Sequence, residues 1–259
     1  MRGQKADGRR AGPGARGGPQ ARAGTRPAPG RDGTLAPAAG PDGGPGGRET
    51  SRARPAFWLR PAVHVVMAGP LLFLAVSWAE LLLWNPQSLR ISAEPVAYTH
   101  NGLGLMALKA LVLTLAVTPV RRLTGWGRVM TVRRALGLWA FAYALLHLLF
   151  FLWMDLDGSL AELVSETAER PFILAGMIAF LAMLPLAATS SGAAIRRLGA
   201  RRWRALHRLA YVAAVAGVVH FILRVKDWQA EPLAYAAFLA ALLVARLVPQ
   251  ARRRASASA

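Results

Sequence analysis

Residues 203–226 read WRALHRLAYVAAVAGVVHFILRVK, an apolar run of helix length that carries two histidines, His207 and His220. Thirteen residues of α-helix rise roughly 20 Å, and the apolar layer of a bilayer is about 30 Å thick. If this run crosses a membrane, the two imidazoles lie toward opposite faces of that layer. An imidazole at such a depth needs a partner, because burying it unsatisfied is costly. The partner can be a polar side chain, a backbone carbonyl or a metal.

The composition of the whole chain indicates a membrane protein. Of its 259 residues 54% are hydrophobic, yet the formal net charge is +19, a combination unlike that of an ordinary soluble domain. Nucleic-acid-binding domains carry basic residues along one folded face. Here they fall in blocks between apolar runs, which predicts contact with membrane lipid and no nucleic acid. Cysteine is absent, so any metal depends on histidine or carboxylate ligands, and covalent haem attachment is excluded.

Six apolar segments of spanning length follow one another, and they cover residues 61–84, 103–120, 135–154, 172–190, 206–225 and 232–248. The links 121–134 and 191–208 contain arginines but no acid, whereas the alternate links are acidic or mixed. The positive-inside rule makes the arginine-rich links cytoplasmic. We predict an all-α integral membrane protein with six transmembrane helices and both termini in the cytoplasm.

The six segments define one predicted domain, residues 57–249. Residues 1–56 are rich in Gly, Pro, Ala and Arg and carry too little apolar surface to offset the entropy of ordering, which predicts a disordered cytoplasmic tail. Residues 250–259 are predicted to form a basic cytoplasmic tail.

The depth of each histidine follows from its distance to the cytoplasmic start of its segment. His147 and His220 lie about a dozen and about fourteen residues from those starts, so they are level and slightly beyond mid-membrane. Two level imidazoles on separate helices are what a bis-histidine b-type haem requires, and such a haem suits outer-sphere electron transfer. A hydrogen bond between helices is the alternative role for an intramembrane histidine.

A second level pair, His207 and His64, is predicted near the cytoplasmic face. On a regular helix His207 and His220 point roughly 140° apart. Either the helix bends between them, or His207 serves a second neighbour such as His64, a lipid headgroup, a quinone or a flavin. His64 can equally be an ordinary interfacial histidine.

We also make predictions for two further polar residues. His100 precedes the second segment, where we expect a loop residue or a contact for a proton or a partner on the outer face. Lys109 is expected to pair with Glu80 across the first two segments.

Four consecutive motifs carry a family resemblance, and they read ALKALVLTLAVTPVRRLTGW (107–126), RRALGLWAFAYALLHLLFFLWMD (133–155), ERPFILAGMIAFLAMLPLAATSS (169–191) and RRLGARRWRALHRLAYVAAVAGVVHFILRVK (196–226). Over residues 60–248 the chain resembles the ferric-reductase-like transmembrane family, and within it the haem-binding membrane subunits of bacterial methionine sulfoxide reductase systems. The histidines associated with haem in that family match His147 in ALLH, His207 in ALHRLAY and His220 in VHF.

The resemblance implies a multi-pass protein of the bacterial inner membrane with a ferric-reductase-like bundle, b-type haem and FMN. It also implies electrons drawn from the quinone pool or a cytosolic flavin reductase and delivered to a periplasmic molybdopterin enzyme, which repairs oxidised methionines in proteins. The chain would then be an electron-transfer subunit rather than the catalytic subunit. The wider family resembles a four-histidine, two-haem scaffold, whereas this chain has Arg133 or Arg134 where an inner histidine would stand.

Two other functions fit a membrane bundle. A metal reductase would give electrons to ferric or cupric ions without a periplasmic protein, and it usually carries its own nucleotide-binding domain. A transporter or structural protein without a redox centre is the other alternative. Transporters favour internal repeats and broken helices, and no repeat is evident in the sequence.

Overall fold

The computed structural model describes residues 58–225 and 229–247, and every regular element in these ranges is a helix. The two predicted tails lie outside the described residues. The helices are α1 (Leu59–Leu83), α2 (Pro95–Thr124), α3 (Arg133–Met154), α4 (Leu160–Glu169), α5 (Pro171–Ala188), α6 (Gly192–Leu206), α7 (Leu209–Arg224) and α8 (Ala230–Leu247), with a 3₁₀ turn at Gly127–Thr131.

Local sequence explains several helix ends. Pro95 and Pro171 open α2 and α5 at positions where a missing N–H costs nothing. Helix α2 ends at Gly125, whose φ of 72° is left-handed and suits glycine. Ser159 caps α4 by accepting a hydrogen bond from the backbone N–H of Glu162. The predicted acidic link therefore contains a helix.

Four helices of the described residues, α1, α2, α3 and α5, are long and apolar enough to cross a membrane. A fifth span results if α6 and α7, which meet at 42°, count as one broken span. Along α1 the one buried residue is Ser77, while Val65 and Leu82 are 72% and 71% exposed. Such an outward apolar face requires lipid around it. The all-helical prediction is confirmed, whereas the sixth span and the side of the termini remain predictions.

Helix α2 packs along α3, and α5 packs along α7. Small residues at these contacts let the helix backbones approach closely, as is usual between membrane helices. The completely buried alanines of the core are Ala110, Ala140, Ala213 and Ala214.

The bundle has two chemically different ends. The basic end holds the end of α2, the start of α3 and helix α6, and it carries the arginines 121, 122, 128, 133, 134, 196, 197, 201, 202 and 204. The acidic end holds the start of α2, the end of α3 and helix α4, and it carries the acids 155, 157, 162, 166 and 169.

Two expectations need correction. The fifth segment is not one regular helix, because the chain leaves α6 at His207 and begins α7 at Leu209. The predicted pair between Glu80 and Lys109 is wrong. Glu80 instead binds Arg90, with Nε 2.8 Å from Oε2, because the link after α1 folds back over the end of that helix.

Candidate functional site

Helices α3 and α7 bring His147 and His220 together inside the bundle. Both helices start at the basic end, so their residues can be compared by depth, and the two imidazole centres lie 6.1 Å apart with their planes at 77°. The structure therefore has the level pair that the sequence predicts. Whether the pair binds haem is a separate question of chemistry.

Hydrogen bonds fix which nitrogen of each ring is available. Nδ1 of His147 lies 3.0 Å from the carbonyl oxygen of His100, and Nδ1 of His220 lies 2.6 Å from that of Phe172. A carbonyl oxygen only accepts, so each Nδ1 carries the proton and donates it. Each Nε2 then has a free lone pair, the form in which histidine binds metals. Among the described residues no hydrogen bond uses either Nε2.

Two glycines make room for these rings. A Cβ at Gly104 of α2 would lie 3.0 Å from Cε1 of His147, and a Cβ at Gly176 of α5 would lie 2.9 Å from Nδ1 of His220. The distance at Gly104 is tighter than nine in ten real Cβ contacts, and real Cβ atoms essentially never show the distance at Gly176. Glycine therefore lets each imidazole approach the neighbouring helix closely enough to reach its backbone.

The same arrangement occurs twice. In each case a helix offers a carbonyl at residue i and a glycine at residue i+4, and the helix packed along it supplies the histidine. His100, Gly104 and His147 form one set, and Phe172, Gly176 and His220 form the other. We call this the carbonyl–glycine–histidine unit. The sequence shows no repeat, so only the folded chain reveals it.

A cavity of about 590 Å³ lies between these helices, within the size range of cofactor pockets. Two imidazoles that bind one metal from opposite sides, with metal–nitrogen bonds of about 2 Å, have ring centres roughly 6 Å apart. The observed separation agrees with that value. Within residues 58–225 and 229–247 no three His, Asp or Glu side chains converge as a metal site. The donor set therefore fits a metal that brings its own equatorial ligands, as haem does.

The expectation that His100 is a loop residue is wrong. It lies inside α2, which starts at Pro95 rather than near Leu103, and its ring centre is 4.3 Å from that of His147. Its Nδ1 is 3.7 Å from a carboxylate oxygen of Asp155. Counting depth from the acidic ends of α2 and α3 would have placed His100 near the level of His147.

The other two predicted histidines lie toward the basic end and make separate contacts. His207 follows α6, stacks on Trp203 with ring centres 3.9 Å apart, and has Nε2 3.2 Å from the hydroxyl of Thr189. Nδ1 of His64 accepts a hydrogen bond from the indole N–H of Trp139 at 2.9 Å. Because the chain bends after α6, His207 and His220 do not lie on one regular helix, and the angle of roughly 140° between them does not apply. A haem-associated role for either residue remains a prediction.

An all-helical membrane bundle with two opposed histidines at its centre defines a class of integral membrane redox scaffolds, and the comparisons agree with it. Residues 102–218 match the family described as "Ferric reductase like transmembrane component". This stretch contains Gly104, His147, Gly176 and His207, and it ends two residues before His220. Together with the apolar helices, the match makes the chain a multi-pass membrane protein.

Similar proteins show which family within this class the chain belongs to. The chain is 48% identical over 165 residues to the "Protein-methionine-sulfoxide reductase heme-binding subunit MsrQ" of Brucella anthropi, covering 63% of this chain and 74% of the relative. The proteins of the same name from Brucella ovis and Brucella suis are 47% identical over 166 residues, covering 64% of this chain and 74% of each relative. The chain belongs to the MsrQ family.

Proposed function

We propose that this chain is the membrane electron-transfer subunit of a protein-methionine-sulfoxide reductase system and holds a b-type haem between His147 and His220. The observation that carries the proposal is the pair of opposed imidazoles with both Nδ1 atoms bonded to carbonyls. His147 and His220 would hold the haem through their Nε2 atoms, and the haem would supply one-electron transfer there. The names of the relatives, which are haem-binding subunits, support the same cofactor.

The chain's own groups set the conditions for that transfer. The carbonyls of His100 and Phe172 hold each imidazole in one tautomer and one orientation, and they make its Nε2 more basic. The lining between the rings and the basic end is apolar, with Leu108, Leu111 and Met183 among its residues. This lining keeps water away from the centre of the bundle.

We propose the following topology. Six helices of the domain 57–249 cross the bacterial inner membrane, and both the 1–56 tail and the basic 250–259 tail lie in the cytoplasm. The arginines of the basic end support this orientation through the positive-inside rule. The acidic end then faces the periplasm.

The proposed electron path runs from the basic end to the acidic end. A quinone or a cytosolic flavin reductase is the proposed donor, and FMN is the proposed carrier, bound near His207, His64 and the inner arginines. The proposed acceptor is a periplasmic molybdopterin reductase of the MsrP type. The relatives' name, which includes a methionine sulfoxide reductase, supports a reductase of that activity as the acceptor.

Replacement of the two histidines tests the central proposal. Purified protein should have a Soret band that shifts on dithionite reduction, and His147→Ala or His220→Ala should each remove the low-spin spectrum, because each removes one axial ligand. Leu146→Ala and Val219→Ala are matched controls in the same helices, beside each histidine but partly exposed on the lipid side. These controls should keep the spectrum. Low-spin haem that persists in both histidine variants would refute this ligand pair.

A further inference from the structure

The cavity between the histidines is polar at one end and apolar at the other. At the acidic end its lining includes His100, Asn101, Arg224, Gln229 and Glu231. Toward the basic end α2, α5 and α7 contribute Leu111, Met183 and Ala213 instead. A ligand that fills this cavity should therefore be amphipathic, with its polar edge toward the acidic end.

Among the described residues that line the cavity, Arg224 is the cation at that polar end. It follows His220 by four residues, so it lies on the same face of α7, about 6 Å further along the helix axis. It lines both the main cavity and an adjoining smaller one.

Glu94, Asp155 and Glu231 line the two cavities beside Arg224. Asp155 faces His100, and none of the ion pairs formed within residues 58–225 and 229–247 includes Arg224. The other arginines of this end, Arg90 and Arg170, are paired with Glu80 and Glu166. Of the described residues, Arg224 is therefore the rim cation placed to receive an anionic group from a ligand.

A b-type porphyrin has the matching shape and charge. It is apolar over most of its plane and carries two carboxylates side by side at one edge. Guanidinium groups bind carboxylates through charge-assisted, often bidentate hydrogen bonds. We propose that Arg224 binds a carboxylate of the porphyrin and fixes the carboxylate edge toward the acidic end of the bundle. This inference rests on the proposed function.

Haemin and its dimethyl ester distinguish a carboxylate contact from a general effect on the fold. Apo protein of the full chain in detergent is titrated with each compound, and binding is followed by the Soret band. Arg224→Gln should weaken haemin binding about tenfold, because a charge-assisted bond is lost. It should leave ester binding at the wild-type value, because the ester has no carboxylate to lose. Normal binding of the ester also shows that the variant is folded.

Arg170→Gln is the matched control, since it removes an exposed arginine of the same end that is already paired with Glu166. It should change neither affinity. Equal weakening of haemin and ester by Arg224→Gln would overturn the inference in favour of a packing role, and unchanged haemin binding would overturn it too. If the wild-type protein binds neither compound, the proposed haem function itself is refuted.

Discussion

At the scale of single residues, the site depends on two glycines as much as on its histidines. Gly176 has no Cβ, and its absence lets the ring of His220 reach the carbonyl of Phe172. Because the ring is tied by that hydrogen bond, it can make room for a methyl group only by giving the bond up. The same reasoning holds for Gly104 and His147.

Gly176→Ala should therefore displace His220 and reduce haem affinity up to about tenfold, since a typical hydrogen bond contributes roughly 0.5–1.5 kcal/mol. Pyridine haemochrome titration of the purified variant measures the occupancy. Gly217→Ala is the control, because its Cβ would meet Leu108 at an ordinary 3.7 Å. Equal haem content in Gly176→Ala and the wild type would contradict the tight contact.

The positions of His147 and His220 were predictable from sequence, since residue count along a spanning helix converts directly into depth. The two glycines were not, because a close approach between helices depends on packing that no count reveals. A glycine near the middle of an apolar helix is nevertheless a usable signal of such an approach. His100 was missed because α2 continues beyond its apolar core.

At the scale of secondary structure, a proline in α2 is compensated by an arginine from α8. Pro119 has no N–H, so the carbonyl of Leu115 one turn earlier lacks its helical donor. Nη2 of Arg246 donates to that carbonyl, and Nη1 donates to the hydroxyl of Tyr211. An arginine near the end of an apolar helix thus joins three helices.

Arg246→Leu should lower the free energy of unfolding by about 1–3 kcal/mol, because it leaves the Leu115 carbonyl unsatisfied. In a Pro119→Ala background the Leu115 carbonyl regains a helical donor. Arg246→Leu should then lower the free energy of unfolding by about 1 kcal/mol less than it does in the wild type. Thermal unfolding in detergent measures both losses. Arg204→Leu, at an exposed arginine of α6, should have little effect. Equal losses in the two backgrounds would rule out the proposed compensation.

At this scale, the links between the spans were predicted least well from the sequence. The apolar pattern predicted the spans that became α1, α3 and α5 to within a few residues. It did not reveal α4, α6 or the bend after Leu206, because these segments are short and polar and their geometry depends on caps and on packing. The bend is what separates His207 from the regular course of α7.

At the scale of the whole molecule, the absence of cysteine makes the topology easy to test. Ala168 in α4 and Ala193 in α6 are exposed at opposite ends of the bundle. In spheroplasts, an impermeant maleimide should label Ala168→Cys directly but should label Ala193→Cys only after lysis. Ser258→Cys should behave like Ala193→Cys if both termini are cytoplasmic. Direct labelling of Ser258→Cys would contradict a cytoplasmic C-terminus.

The repeated carbonyl–glycine–histidine unit has a consequence for any haem placed between its two copies. A b-type haem can be turned over about the axis through two opposite meso carbons, which exchanges its faces but leaves the carboxylate edge in place. Each face would then meet an imidazole whose Nδ1 is hydrogen-bonded to a carbonyl, so these two ligands give the protein little means of selecting one face. We expect two rotational isomers in comparable amounts, visible as doubled haem methyl resonances in the NMR spectrum of the oxidised protein.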